Sequence, residues 1–279
     1  MTREKQRKIE GGIALVFSTL AALMGLFWLV FILGDVLVHG MGALHLNLFL
    51  QDPTPPGVEG GGLRNAFTGQ LLITLFATLI GVPVGVLGGT FLAEYARGTK
   101  ISRVISVLSD IMVSVPSIVI GTFIYAILVH PLGHFSGWAG SVALAVIMIP
   151  VVLRTTENML SLVPWTLREA AFALGAPYYK VIIQVVYRGA ATGIMTGILL
   201  SIARVAGETA PLLFTSFNNA YFSADMKGPV ASLTVTIFQY AMGPYDDWHK
   251  QAWAASLIIT LFILFITILG RLIIKWRYK

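Results

Sequence analysis

Two charges stand four residues apart inside an apolar run, Arg204 and Glu208 in the stretch Ala203-Arg204-Val205-Ala206-Gly207-Glu208-Thr209-Ala210-Pro211-Leu212-Leu213-Phe214-Thr215. At a helical turn of about 100° per residue, Gly197, Ser201, Arg204, Glu208, Pro211 and Thr215 share a sector about 80° wide. That spacing lets guanidinium and carboxylate pair directly. Either charge alone costs roughly 2.5–3.5 kcal/mol at the centre of a bilayer, so both are expected to face protein or water rather than lipid. Two roles are open. The pair can be a self-neutralised device that fixes helix packing. Alternatively, Arg204, Glu208, Thr209, Pro211 and Thr215 can line a translocation path on which Arg204 transiently attracts an anion. A guanidinium fork matches the oxygens of an oxyanion, while Glu208 opposes an anion at close range. Pro211 withholds an N–H and permits a bend that frees the carbonyl near Gly207.

A second stretch, Thr166 to Pro177, lies in a polar, basic break between two apolar runs. Thr166 and Glu169 have capping-box spacing, hydroxyl to amide and carboxylate back to amide. Gly175 is placed for a left-handed cap, and Pro177 suits the first turn of a following helix. Two short helices meeting at a sharp angle are expected there. A rigid, capped turn of this kind is what a docking element needs.

These residues must be held by membrane spans. The chain has 279 residues, of which 56% are hydrophobic and 11% charged, and its mean hydropathy is +0.81. An ordinary soluble domain carries about 25% charged residues, so the chain is an all-α polytopic membrane protein by composition. A span needs about 20 apolar residues. Six segments qualify, near 13–37, 66–92, 104–129, 138–160, 183–216 and 252–274. The first is too long for the apolar core of a signal peptide and lacks a cleavage site, so it is read as an uncleaved span. Residues 39–64 are expected to form an irregular outer loop. Val230 to Met242 are expected to form a short helix against the bundle. Glycines at helical spacing, Gly81, Gly85 and Gly89, then Gly189, Gly193 and Gly197, are expected to serve close helix packing.

Basic residues divide unevenly between the two sides. Arg3, Lys5, Arg7, Lys8, Arg97, Lys100, Arg103, Arg154, Arg168, Lys180, Arg188, Arg271, Lys275, Arg277 and Lys279 fall on one side, against Arg64, Lys227 and Lys250 on the other. The positive-inside rule then puts both termini in the cytoplasm. With charge so explained, the net +6 requires no nucleic acid. The absence of cysteine excludes disulfides, Cys-ligated zinc and iron–sulfur clusters. His130 and His134 have no carboxylate close in sequence, so no metal and no cofactor are expected. No catalytic residue is assigned, because no nucleophile–base pair or G-x-x-x-x-G-K-[ST] loop is present. Arg154, Glu157 and Asn158 are expected at a solvated or salt-bridged helix end. Glu94 and Asp110 are expected to balance Arg97, Lys100 and Arg103, and Asp35 and His39 to mark the outer end of the first span.

Glu169-Ala170-Ala171, three residues, then Gly175 resembles the EAA loop of type I ABC-importer permeases. In that family the loop lies in a cleft of a cytoplasmic ATPase and passes its closure to the spans. Tyr187-Arg188 stands where that pattern often has Leu-Pro. The stretch Ala203 to Thr215 resembles the fifth-span segment of the PstA family of phosphate ABC-transporter permeases. Val115 to Gly121 and Pro150 to Glu157 are similar to it too, and the likeness runs from about residue 66 to 216. It implies a type I ABC-importer permease fold in one transmembrane domain over 1–279, with its core at about 66–274. It implies a phosphate importer of the cell inner membrane, built with a PstC-like second permease, PstB-like cytoplasmic ATPase subunits and a PstS-like periplasmic phosphate-binding protein. ATP hydrolysis would then be supplied by a separate subunit. Two other readings are weighed: a permease for molybdate or sulfate, and a proton-coupled secondary transporter using Arg204 and Glu208.

Overall fold

The computed structural model describes residues 3–55, 57–58 and 60–277. Lys279 and the side chains of Lys5, Lys8, Lys275 and Arg277, all counted in the charge asymmetry, lie outside the described residues, as does Pro56 of the outer loop.

Helix α1 (Arg3–Gly42) leads through the single turn α2 (Asn47–Leu50) to α3 (Arg64–Thr90). Then come α4 (Lys100–Ser114), α5 (Ser117–Ile124), α6 (His130–Leu132) and α7 (Gly137–Ser161). The loop helix α8 (Trp165–Ala173) and the short α9 (Tyr178–Lys180) precede α10 (Tyr187–Ala206). The chain ends in α11 (Ala210–Thr215), α12 (Leu233–Ala241) and α13 (Asp246–Arg277). Three π-helical turns, Phe91–Tyr95, Tyr125–Val129 and Val181–Val186, prolong α3, join α5 to α6 and join α9 to α10.

Helix α7 is the axis of the bundle and the most buried of the spans. Both glycine ladders press on it. A Cβ on Gly85 would lie 2.7 Å from Val152 Cβ, and one on Gly89 would lie 2.5 Å from the Leu153 carbonyl. On its other flank, Gly193 meets Met159 and Gly197 meets Thr155. Lipid is as apolar as leucine, so burial drives association weakly there; close backbone approach and dispersion contacts hold the three helices together. Helix α1 is outlying, with Gly40 against Leu257 and His39 stacked on Trp253 near its end. Its Asp35 reaches His39 Nδ1 at 2.9 Å. Helix α12, close to its expected limits, is capped by Ser232 accepting from the Val235 amide and packs on α3 and α13.

Among the described residues, five helices are long and apolar enough to cross a membrane, and a sixth crossing exists only as a bent pair. That pair corrects the expected continuous span at 104–129: α4 and the α5–α6 unit meet at 103°. Pro116 has no N–H to continue α4, and it holds Val115 extended at φ −70°, ψ 131°. The span expected at 183–216 also changes at both ends. It starts at Tyr178, because α9 runs through the π turn straight into α10, and it stops at Ala206. The second helix of the loop is therefore the base of a span rather than a short separate element.

The outer loop, α11 and the start of α12 gather at one end of the bundle, where the Ser136 amide bonds the Thr215 carbonyl at 3.0 Å. Asp52 and Arg64 pair there through two hydrogen bonds of 2.8 and 3.1 Å. The π turn at Phe91–Tyr95, α8 and α9 gather at the other end, joined by Tyr178 donating to the Glu94 carbonyl at 2.8 Å.

Candidate functional site

Helix α8 starts two residues earlier than its sequence suggests. Pro164 (φ −59°, ψ 141°) is the N-terminal flank and no side chain caps the helix, so the expected Thr166–Glu169 box does not form. Thr166 is already inside the first turn, where its hydroxyl cannot reach the free amides. The C-terminus follows the sequence closely. Gly175 adopts φ +78°, the Gly175 amide bonds the Phe172 carbonyl at 2.8 Å, and the Ala176 amide bonds the Ala171 carbonyl at 3.2 Å. This is the paired 5→2 and 6→1 pattern that ends a helix at a left-handed glycine.

The turn so held faces two ways. Glu169, Ala170 and Gly175 are exposed, and Leu174 stands 89% clear of the protein. Ala171 turns partly inward onto the cluster of Leu160, Val163, Val181 and Val186. Arg168 is the buried member, with 2% of its side chain exposed against 1% for Glu94. Its Nη2 donates to Glu94 Oε1 at 2.6 Å and its Nε to Oε2 at 3.3 Å. It also donates to the carbonyls of Val163 at 2.6 Å and Leu160 at 3.1 Å, beyond and within the last turn of α7.

Glu94 therefore does not balance the 97–103 basic loop, as expected from its position in the chain. Asp110 does not either: Arg154 donates to it through Nε at 2.9 Å and Nη2 at 2.6 Å, and through Nη1 to Glu157 at 2.9 Å. Arg154 and Glu157 thus form the salt-bridged helix end, and the Arg154–Asp110 pair fastens α4 to α7. No sequence signal pairs residues 74 and 44 positions apart. A lone Arg on the inward face of a capped helix does signal that a partner is needed.

In the fifth span, a break falls between the two charges, so the shared sector does not continue past Ala206. Gly207 flanks the end of α10, and Pro211 sits in the first turn of α11, where its missing N–H costs nothing. The Arg204 Nε and Glu208 Oε1 lie 4.0 Å apart, with side-chain exposures of 50% and 18%. This is an ion pair without a hydrogen bond. Thr209 is half-buried at the break, and its carbonyl accepts from the amides of Leu212 and Leu213. Pro211 is buried, and a Cβ on Gly121 would lie 2.6 Å from its Cα. Thr215 is also buried and donates to the Pro211 carbonyl at 2.7 Å. Of the polar stripe, the structure turns the Arg204 side chain outward and packs Pro211 and Thr215 inward.

Groups remote in sequence hold the break open. The Gln70 amide donates to the Ala206 carbonyl at 3.0 Å and accepts from the Leu233 amide at 3.1 Å. Thr234 donates to the Glu208 carbonyl at 2.9 Å. Carbonyls freed by an interrupted helix in an apolar interior need such partners. Among the described residues, no group of three or more His, Asp or Glu could hold a metal ion.

Residues 81–277 match the family described as binding-protein-dependent transport system inner membrane component. The phosphate transport system permease protein PstA of Pasteurella multocida (strain Pm70) is 51% identical, covering 98% of this chain and 97% of that protein. Its namesake in Yersinia pestis is 50% identical, covering 97% and 92%. A probable phosphate transport system permease protein PstA of Methanocaldococcus jannaschii is 38% identical over 77% of this chain and 76% of that protein. Among solved structures, an inward-facing MetNI methionine ABC transporter superposes with a TM-score of 0.58 at 21% identity, covering 76% of this chain and 94% of that one. An amino acid ABC transporter crystallised with histidines gives 0.55 at 19%, covering 76% and 94%.

Proposed function

The chain belongs to the binding-protein-dependent transport system inner membrane components, and within them to the PstA phosphate transport permeases; on that premise we propose that it carries phosphate inward across the cell inner membrane as one domain over 1–279. It has the type I ABC-importer permease fold and is a permease subunit, powered by an ATPase on a separate chain. A PstC-like permease completes the path, PstB-like subunits hydrolyse ATP, and a PstS-like protein delivers phosphate from outside. Both termini lie in the cytoplasm, in keeping with the charge asymmetry.

The observation that carries this reading is the two-faced α8. Glu169, Ala170, Leu174 and the Gly175 turn stand clear of the bundle, while Arg168 anchors the same helix inside it. Such a helix can be gripped from the cytoplasm without coming loose. At the other station, the half-exposed guanidinium of Arg204 next to the break at Gly207 supports a role for it on the path that this chain forms with its partner permease. A fork of N–H donors there suits a tetrahedral oxyanion.

Guanidinium chemistry alone does not choose among oxyanions, so substrate identity is tested by competition. In vesicles holding the chain with its partners, unlabelled phosphate should displace labelled phosphate uptake, and molybdate or sulfate at the same concentration should not. Uptake inhibited by molybdate or sulfate but not by phosphate would assign the permease to another oxyanion.

A further inference from the structure

We propose that Glu94 and Arg168 form a buried strut that transmits movement of the docking helix α8 directly to the second span, α3, in addition to the covalent route through α9 into α10. This inference rests on the reading of α8 as the ATPase-docking element.

The strut joins three helices at one point. Arg168 lies in α8, Glu94 lies in the π turn that ends the second span, and the carbonyls of Leu160 and Val163 lie within and just beyond the last turn of α7. Four hydrogen bonds fix the guanidinium, two of them to one carboxylate, so α8 has little freedom to rotate against α3. Tyr178 completes the joint. It donates to the Glu94 carbonyl and lies 3.4 Å from Glu94 Oε2, while its ring stacks on Phe172 of α8. Tyr95 packs edge-on against the same ring.

Two π turns place these groups. In the first, the Ala96 amide bonds the Phe91 carbonyl at 2.8 Å, five residues back. The extra residue in that turn changes which side chains face the bundle, and Glu94 is among those facing inward. The second, Val181–Val186, lies just above Tyr178 and stands directly before Tyr187-Arg188. Tyr187 then hydrogen-bonds Thr90 of α3 one turn below Glu94 in the chain. The second and fifth spans are thereby tied twice at the end where α8 sits. A π turn is a rare insertion found often at functional sites, and a compact ion pair that starts from one of them and ends in α8 is suited to carrying load.

Breaking a buried pair from one side leaves an unpaired charge and destabilises strongly, whereas replacing both partners by neutral groups of similar size is often tolerated. The informative variant is therefore the double one, Glu94→Gln with Arg168→Met, alongside each single change. In the full complex three quantities are read: ATPase subunits retained on purification, ATP hydrolysis, and phosphate uptake. The double variant is expected to keep its ATPase subunits while uptake per ATP hydrolysed falls at least about tenfold, and Arg168→Lys is expected to recover part of it. Restored uptake per ATP in the double variant would overturn the strut, leaving the pair a folding device. Should the double variant fail to assemble, Tyr178→Phe, which removes only the hydroxyl, gives the same readout: unchanged uptake per ATP would count against the strut. If the unaltered chain retains no ATPase subunits, it is the docking reading that fails, a separate outcome.

Discussion

Phosphate uptake by an Arg204→Gln variant should fall roughly 10- to 100-fold, with chain level in the membrane unchanged. The size follows from what is removed. A hydrogen bond to a charged group contributes about 1.5–3 kcal/mol, and about 1.4 kcal/mol is a factor of ten in rate. The fold should survive, because this guanidinium is half exposed and meets Glu208 only at 4.0 Å. Arg204→Lys keeps the charge but not the fork and should fall between the two. The double variant Arg204→Gln with Glu208→Gln decides between the two roles open from the sequence. Uptake as low as in the single variant supports an Arg204 that works on the anion. Recovery towards the unaltered level would make the pair structural, with the single loss explained by a carboxylate left alone.

The second large effect concerns the turn proposed to dock the ATPase. Glu169→Lys reverses a charge on the exposed face of α8, and Gly175→Leu forces a side chain into a left-handed turn at φ +78°. The latter costs about 1–2 kcal/mol locally and removes the bonds that close the helix. Both variants should reach the membrane with the partner permease, since neither residue contributes to the buried core. Both should leave ATP hydrolysis uncoupled from transport, with uptake down about tenfold or more. Gly175→Asn is the control, because asparagine tolerates the left-handed region and should keep most of the uptake. Normal transport in both Glu169→Lys and Gly175→Leu would place docking elsewhere on the chain.

Much of this architecture is written locally. The apolar runs locate the spans because a bilayer demands about 20 apolar residues in register. Gly175 announces its turn because a glycine after a run of good helix formers has one common use. Val230 to Met242 mark α12 in the same way. Three features were not legible. The break at Pro116 is ambiguous, since spans keep interior prolines: α3 carries Pro83 and α7 carries Pro150 without interruption. What separates them is whether neighbours can satisfy the freed carbonyls, which is a tertiary fact. The break at Gly207 depends likewise on Gln70 and Thr234, far away in the chain.

The third feature is the one with most bearing on function. Arg168 reads in sequence as one more cytoplasmic positive charge, and Glu94 as a neighbour of Arg97. A single-residue shift in helical phase at the π turn decides that they meet instead. Hydrophobic periodicity follows the α-helical repeat, so it does not register such insertions. The exposed half of the loop could be read from its residue types, while its anchored half could not.

Transport by this chain is proposed to be driven from outside it, by an ATPase gripping α8. The most direct measurement is phosphate accumulation in sealed vesicles, with ATP and the ATPase subunits each supplied or withheld, at a fixed proton gradient. Accumulation that requires both, is indifferent to collapse of the gradient and disappears on altering residues 166–177 is the result expected. Accumulation without ATPase subunits that follows the proton gradient would contradict it, and would identify Arg204 and Glu208 as parts of a secondary transporter.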